Sequence, residues 1–349
     1  MTQARVRYLY MDVLRFVASA MVIANHVLSH YFGAFQTRGV TWTTMIVLRM
    51  PTIIAVPLFF MLSGALMLKP VASYGKYLAQ RLRRIYVPFL CWSFLHYLLV
   101  MVLLNKQAFS VLGFGVALLG GDVCQQYWYL YALLPLYMLF PLLGGWWRQL
   151  AAAEQRRAIL VLLLFGSLLP YANLFWKAAG QPALCYYNFG DLGVYLAYAL
   201  MGHYLHTHAI ASRAVRWLNA LALASLLIIV VSTYVASGNA TDFTYAKVTN
   251  PAVVLIAAAV FADVKALCNR FPPRREKLWQ QLGALSFTAY LTHMILLRLM
   301  QTFWSKAYVG SVSTPVAALI QLSEFLLCLV GSYMVAYAAH KTPGLKQAL

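Results

Sequence analysis

The chain has 349 residues, of which 62% are hydrophobic and only 10% charged. Soluble domains carry roughly 25% charged residues, so this composition excludes a water-covered globule and requires lipid as the covering solvent. A formal net charge of +19 would suggest nucleic acid in a soluble protein. Here the basic residues stand in short loops between apolar runs, the pattern that orients membrane helices.

At the N-terminus, Arg5 and Arg7 precede an apolar run that begins near Tyr8. The run is too long for a signal peptide and lacks an Ala-x-Ala site, so it reads as a retained first helix. A bilayer takes about 20 apolar residues per helix. By that measure the chain holds ten spans, at 8–30, 43–68, 85–104, 126–145, 158–176, 189–206, 217–236, 248–264, 282–304 and 315–339. The expected fold is therefore all-α: one polytopic transmembrane domain over 1–349. No long polar segment suggests a fused soluble domain, and no internal repeat is visible.

With the N-terminus in the cytoplasm, most Lys and Arg fall inside. Only Arg38, Lys106, Lys177, Lys247 and Lys306 fall outside, and Arg15, Arg49 and Arg298 fall within spans. That bias supports ten crossings with both termini cytoplasmic. Pro51 and Pro57 in the second span and Pro135 and Pro141 in the fourth predict broken helices around a packed or wet interior. The five cysteines show no Cys-x-x-Cys spacing, so no metal or redox motif is expected. Cys124 and Cys185 fall on the outer side and are read as unpaired thiols, with a disulfide as the alternative. His203, His206 and His208 resemble a metal cluster only superficially and are read as an exposed loop.

Charge inside a bilayer is costly and calls for a purpose. The first span contains Arg15 and His26 in MDVLRFVASAMVIANH. At 100° per residue the two share one helix face, roughly 16 Å apart along the axis. One reading is a polar conduit, in which Arg15 grips an anionic group from the cytoplasm and His26 performs proton chemistry further out. The other is structural: Arg15 snorkels and pairs with Asp12, and His26 is a satisfied core histidine.

Further segments add to this pattern in chain order. They are VPLFFMLSGALML (56–68), RLRRIYVP (81–88), YWYLYALLPLYMLFPLL (127–143) and ALSFTAYLTHMILL (284–297). Together with the Asp12–Arg15–His26 spacing, they resemble the motifs of the acyltransferase 3 family of membrane O-acyltransferases. The likeness is to its stand-alone type. No esterase-like domain follows before Leu349, so the membrane domain is expected to complete the transfer alone.

The resemblance implies acyl-CoA, commonly acetyl-CoA, as donor substrate, with no bound cofactor. It implies a sugar hydroxyl at the outer face as acceptor, in a bacterial inner membrane. The expected catalytic residues are His26 and Arg15, with Glu324 as the first candidate for the carboxylate partner of His26 and Asp191 as the second. Asp12 lies too far along the helix for that role. Arg15, Arg81 and Arg84 would bind the donor phosphates; Arg81 and Arg84 are i,i+3 on one face, and Arg83 reads as topological. Trp128, Asp191 and His293 would face the acceptor, although Trp at a membrane interface and a packed His are ordinary alternatives. Ser63 and Gly64 read as helix packing. His96 and Arg49 match no motif. The rival reading is a transporter or flippase of a lipid-linked glycan, which also uses broken helices and buried charge.

Overall fold

The computed structural model describes residues 7–342, and among them the regular structure is entirely helical. Nine of these helices are long and apolar enough to cross a bilayer. They are Leu9–Ala34, Val40–Met67, Tyr74–Leu104, Gln125–Gln149, Ala152–Ala178, Ser212–Ala236, Thr244–Arg270, Glu276–Met300 and Thr314–Lys341. They match nine of the ten expected spans.

The remaining span, the sixth, is the helix Gly190–Thr207. Its 18 residues rise about 27 Å. It is less apolar than the others because protein, not lipid, surrounds it: most of its residues are buried, His203 included. Its start contributes Asp191 and Tyr195 to one cavity of the bundle, and its end contributes His206 to another. The same two cavities collect opposite ends of the first span, and the end and the middle of the second. The sixth helix therefore runs between the two cavities, beside the nine apolar helices.

The sixth span lies antiparallel against the second. A Cβ on Gly64 would come within 1.9 Å of the Ala199 carbonyl oxygen, and one on Gly202 within 2.1 Å of the Met61 carbonyl oxygen. Small residues permit such contact between membrane helices, so Gly64 does serve packing. The second and ninth spans are each 67% buried over their apolar window, whereas the fifth and seventh are 22% buried. The first pair belongs to the middle of the bundle. The second pair faces lipid, with Leu223, Leu227 and Val235 exposed on the seventh.

Two local features position the site. The third span begins at Tyr74 instead of near 85, capped by Ser73, whose side chain accepts from the Lys76 amide. Counting apolar residues misses this extension because Lys76, Arg81, Arg83 and Arg84 are charged, yet Lys and Arg are good helix formers. In the second span Pro51 opens a 3-10 segment, Met50–Ile54, between the helices Val40–Arg49 and Ala55–Met67. The missing proline N–H breaks the regular ladder and leaves Arg49 at a helix end. All five cysteines are free, Cys124 and Cys185 included.

Candidate active site

The ends of the spans on the face where the first span begins, the expected inner side, surround a cavity of about 700 Å³. Its lining carries five cationic side chains, Arg7, Arg15, Lys69, Arg81 and Arg84, against one carboxylate, Asp12. Asp12 is fully buried and is the hub of the wall. Its Oδ1 accepts from Arg15 Nη1 and its Oδ2 from Arg7 Nε, each at 2.7 Å. Arg7 Nη2 also donates to the Gln280 carbonyl at 2.6 Å, tying the start of the first span to the ninth.

Asp12 fits there because position 283 is glycine. A Cβ on Gly283 would lie 2.8 Å from Asp12 Cα. Arg15 thus pairs with Asp12 and also faces the cavity. Across it, the Arg81 guanidinium sits 5.5 Å from the centre of the Tyr77 ring, and its buried Nε has no partner. Arg83 is absent from the lining.

A second cavity, of about 660 Å³, opens among the outer ends of the spans. His26, Asn25, Arg49, Thr52, Trp128, Asp191 and Lys247 all face it. Tyr290 of the ninth span lines both cavities, and its hydroxyl donates to the Gln126 carbonyl at 2.6 Å. The two chambers therefore meet at one side chain near the middle of the bundle.

His26 stacks on His293 with ring centroids 5.5 Å apart and planes 26° from parallel. His293 is fully buried. Its Nδ1 lies 2.5 Å from the Tyr290 carbonyl oxygen. A carbonyl only accepts, so Nδ1 carries the proton. Nε2 is buried and has no partner. Trp128 is 37% exposed and packs at a tilt on Tyr195, so one side of its indole remains open to the chamber.

The structure therefore gathers the expected site residues into two groups, with Arg15, Arg81 and Arg84 below and His26, Trp128 and Asp191 above. His293 stands behind His26. Glu324 belongs to neither group. It accepts from the Tyr31 hydroxyl at 2.5 Å, and its other oxygen is buried without a partner. The expected hydrogen bond to His26 is not formed: a buried carboxylate needs a donor, and Tyr31 at the end of the first helix supplies it.

The reading of His203, His206 and His208 as an exposed loop is corrected. His203 is buried and accepts from Trp147 Nε1 at 3.0 Å, while His206 Nδ1 lies 2.7 Å from the Tyr10 hydroxyl. Among the described residues no group of His, Cys, Asp or Glu is arranged to hold a metal. Sequence reasoning gave no role to Arg49, and named Tyr290 only as part of a motif. The signal for Arg49 was present, since an arginine in an apolar span raises the same question as Arg15. Nothing in the sequence marks Tyr290 as the residue between two chambers.

No curated protein and no solved structure matches the chain. Residues 8–341 match the family model described as an acyltransferase domain, a stretch that contains every residue of both chambers except Arg7. This multi-pass membrane protein belongs to the acyltransferase 3 family and is a membrane acyltransferase.

Proposed function

We propose that the protein moves an acyl group, most simply acetyl, from cytoplasmic acyl-CoA to a hydroxyl of a cell-surface or lipid-linked glycan outside a bacterial inner membrane. The observation that carries this reading is the pair of chambers reaching Tyr290 from opposite faces. A donor from one side and an acceptor from the other would meet there without either crossing.

The inner chamber suits CoA, whose 3′-phosphate and pyrophosphate are anionic. Arginine binds such groups through a planar fork of donors. Arg81 has a buried donor without a partner, and Arg15 is held in place by Asp12. The flexible pantetheine arm would carry the thioester inward toward Tyr290. On the outer side, His26 would accept the proton of the acceptor hydroxyl. The oxygen would attack the thioester carbonyl, forming the ester C–O bond as the C–S bond breaks. The departing thiolate would take the proton back from His26 and leave as free CoA. His293 would back the His26 ring from a fixed tautomer.

The test is turnover by purified protein in nanodiscs, scored as free thiol with and without a membrane glycolipid fraction. Thiol release that requires both the glycolipid and His26 is the expected result. Acyl-CoA neither bound nor consumed by the folded protein would overturn this reading and favour movement of an unmodified glycan.

A further inference from the structure

The outer chamber contains a charge that the transfer reaction does not use. Arg49 ends the first half of the broken second span and faces the chamber beside His26. Its Nε donates to Ser29 Oγ at 2.7 Å. Thr52 Oγ1 reaches both the Arg49 carbonyl, at 2.7 Å, and Asn25 Oδ1, at 3.2 Å. The guanidinium carbon stands 4.0 Å from the centre of the Phe243 ring. These contacts fix where the side chain points, but none of them carries negative charge. Its Nη1 is buried with no partner.

Among the described residues no carboxylate forms an ion pair with Arg49 or with Lys247, which faces the same chamber. Asp191 also lines it and pairs with neither. The contrast with Arg15 is informative, because Arg15 has Asp12 against it. An uncompensated guanidinium within a membrane bundle is costly. One held on an aromatic face with a free donor edge is arranged to grip a planar or tetrahedral oxyanion.

We propose that Arg49 and Lys247 hold an anionic group of the acceptor, a carboxylate or a phosphate, so that the acylated molecule is an acidic or phosphorylated saccharide. This deepens the acyl-transfer reading and rests on it for the word acceptor. The two sources share the chemistry of a multi-oxygen anion. A second cation facing the same chamber favours a permanent charge on the bound molecule over the single oxyanion that forms during transfer.

Three probes that differ only at C6 decide the matter: octyl glucoside, octyl glucuronide and octyl glucoside 6-phosphate. Binding of radiolabelled probes to the nanodisc-embedded full-length protein is measured first, then thiol release with each as acceptor. Wild type is expected to bind one or both anionic glycosides at least about tenfold more tightly than the neutral one. Arg49→Gln should remove that advantage, Arg49→Lys should restore much of it, and Lys247→Gln should lose part of it.

Which anionic glycoside is preferred identifies the group. Equal binding of all three by wild type, or a preference that survives Arg49→Gln, overturns the proposal. So does an Arg49→Gln effect of equal size on the neutral and anionic glycosides, which would assign Arg49 to the transition state or to packing. Anion preference without any thiol release would leave this site standing and remove the acyl-transfer reading instead.

Discussion

His26 lies against His293 in a near-parallel stack, 5.5 Å between centroids, although the two come from the first and ninth spans. One ring faces the outer chamber; the other is sealed behind it and anchored to the Tyr290 carbonyl. This pairs a residue suited to proton transfer with one suited to holding it. His26→Ala should therefore reduce thiol release by about a hundredfold to ten-thousandfold, the usual worth of general acid–base catalysis, with membrane insertion intact. His293→Ala should cost less. His293→Asn, which can still donate to the Tyr290 carbonyl, should recover part of the loss. Full activity in His26→Ala would remove the base from the mechanism.

The inner chamber predicts a donor phenotype. Arg15→Ala and Arg84→Ala should raise KM for acyl-CoA by about tenfold to a hundredfold, the equivalent of one charge-assisted hydrogen bond at about 1.5–3 kcal/mol, with kcat affected less. Raising ionic strength should weaken wild-type donor binding by screening, and the variants should respond less. Arg83→Ala is the control, since Arg83 is exposed and outside the chamber. Its KM should stay within roughly twofold of wild type. Steady-state kinetics on the reconstituted protein reads all of these.

Asp12 and Gly283 form one packing unit, so a side chain at 283 should act at a distance from the chemistry. A Cβ there would stand 2.6 Å from Asp12 Oδ1 and 2.8 Å from its Cα. Gly283→Ala should lower stability by about 1–3 kcal/mol, as overpacking does, and should disturb the Arg7–Asp12–Arg15 wall. Asp12→Asn should also melt earlier and bind donor less well, because both arginines lose their counter-charge. Thermal unfolding in detergent beside donor KM tests both effects. An unchanged melting temperature in Gly283→Ala would mean the helices can separate freely there.

The expected ten crossings would place the two ends of the helix Gly190–Thr207 on opposite sides of the membrane. In a background with the five native cysteines replaced by serine, Asn188→Cys should react with an impermeant maleimide from outside intact cells. Ala209→Cys should react only after permeabilisation; both positions are exposed. Labelling of both from one side would mean nine crossings and would separate Asp191 from the outer chamber.

Much of the architecture was legible in the chain because bilayer thickness imposes a length on each helix, and because lysine and arginine avoid translocation. Spans and polarity follow from those two constraints alone. The shared face of Arg15 and His26 follows from helix periodicity. The start of the third span was misplaced because apolar counting stops at the first charge, whereas backbone hydrogen bonding does not. The histidines at the end of the sixth span looked like loop residues for the same reason, whereas packing against Trp147 buries His203 and the Tyr10 hydroxyl holds the half-buried His206.

By itself, then, the sequence determined the solvent, the all-helical class and the approximate place of the apolar helices. All of these depend on composition and local periodicity. Only the tertiary structure decided which polar groups meet. It sent Glu324 to Tyr31 and not to His26, set His293 behind His26, seated Asp12 between Arg7 and Arg15, and put Tyr290 between two chambers. The meetings of Glu324 with Tyr31 and of His293 with His26 join residues hundreds of positions apart. They depend on which helix faces touch and at what height, and close approaches such as Gly64 on Ala199 and Gly283 on Asp12 set both.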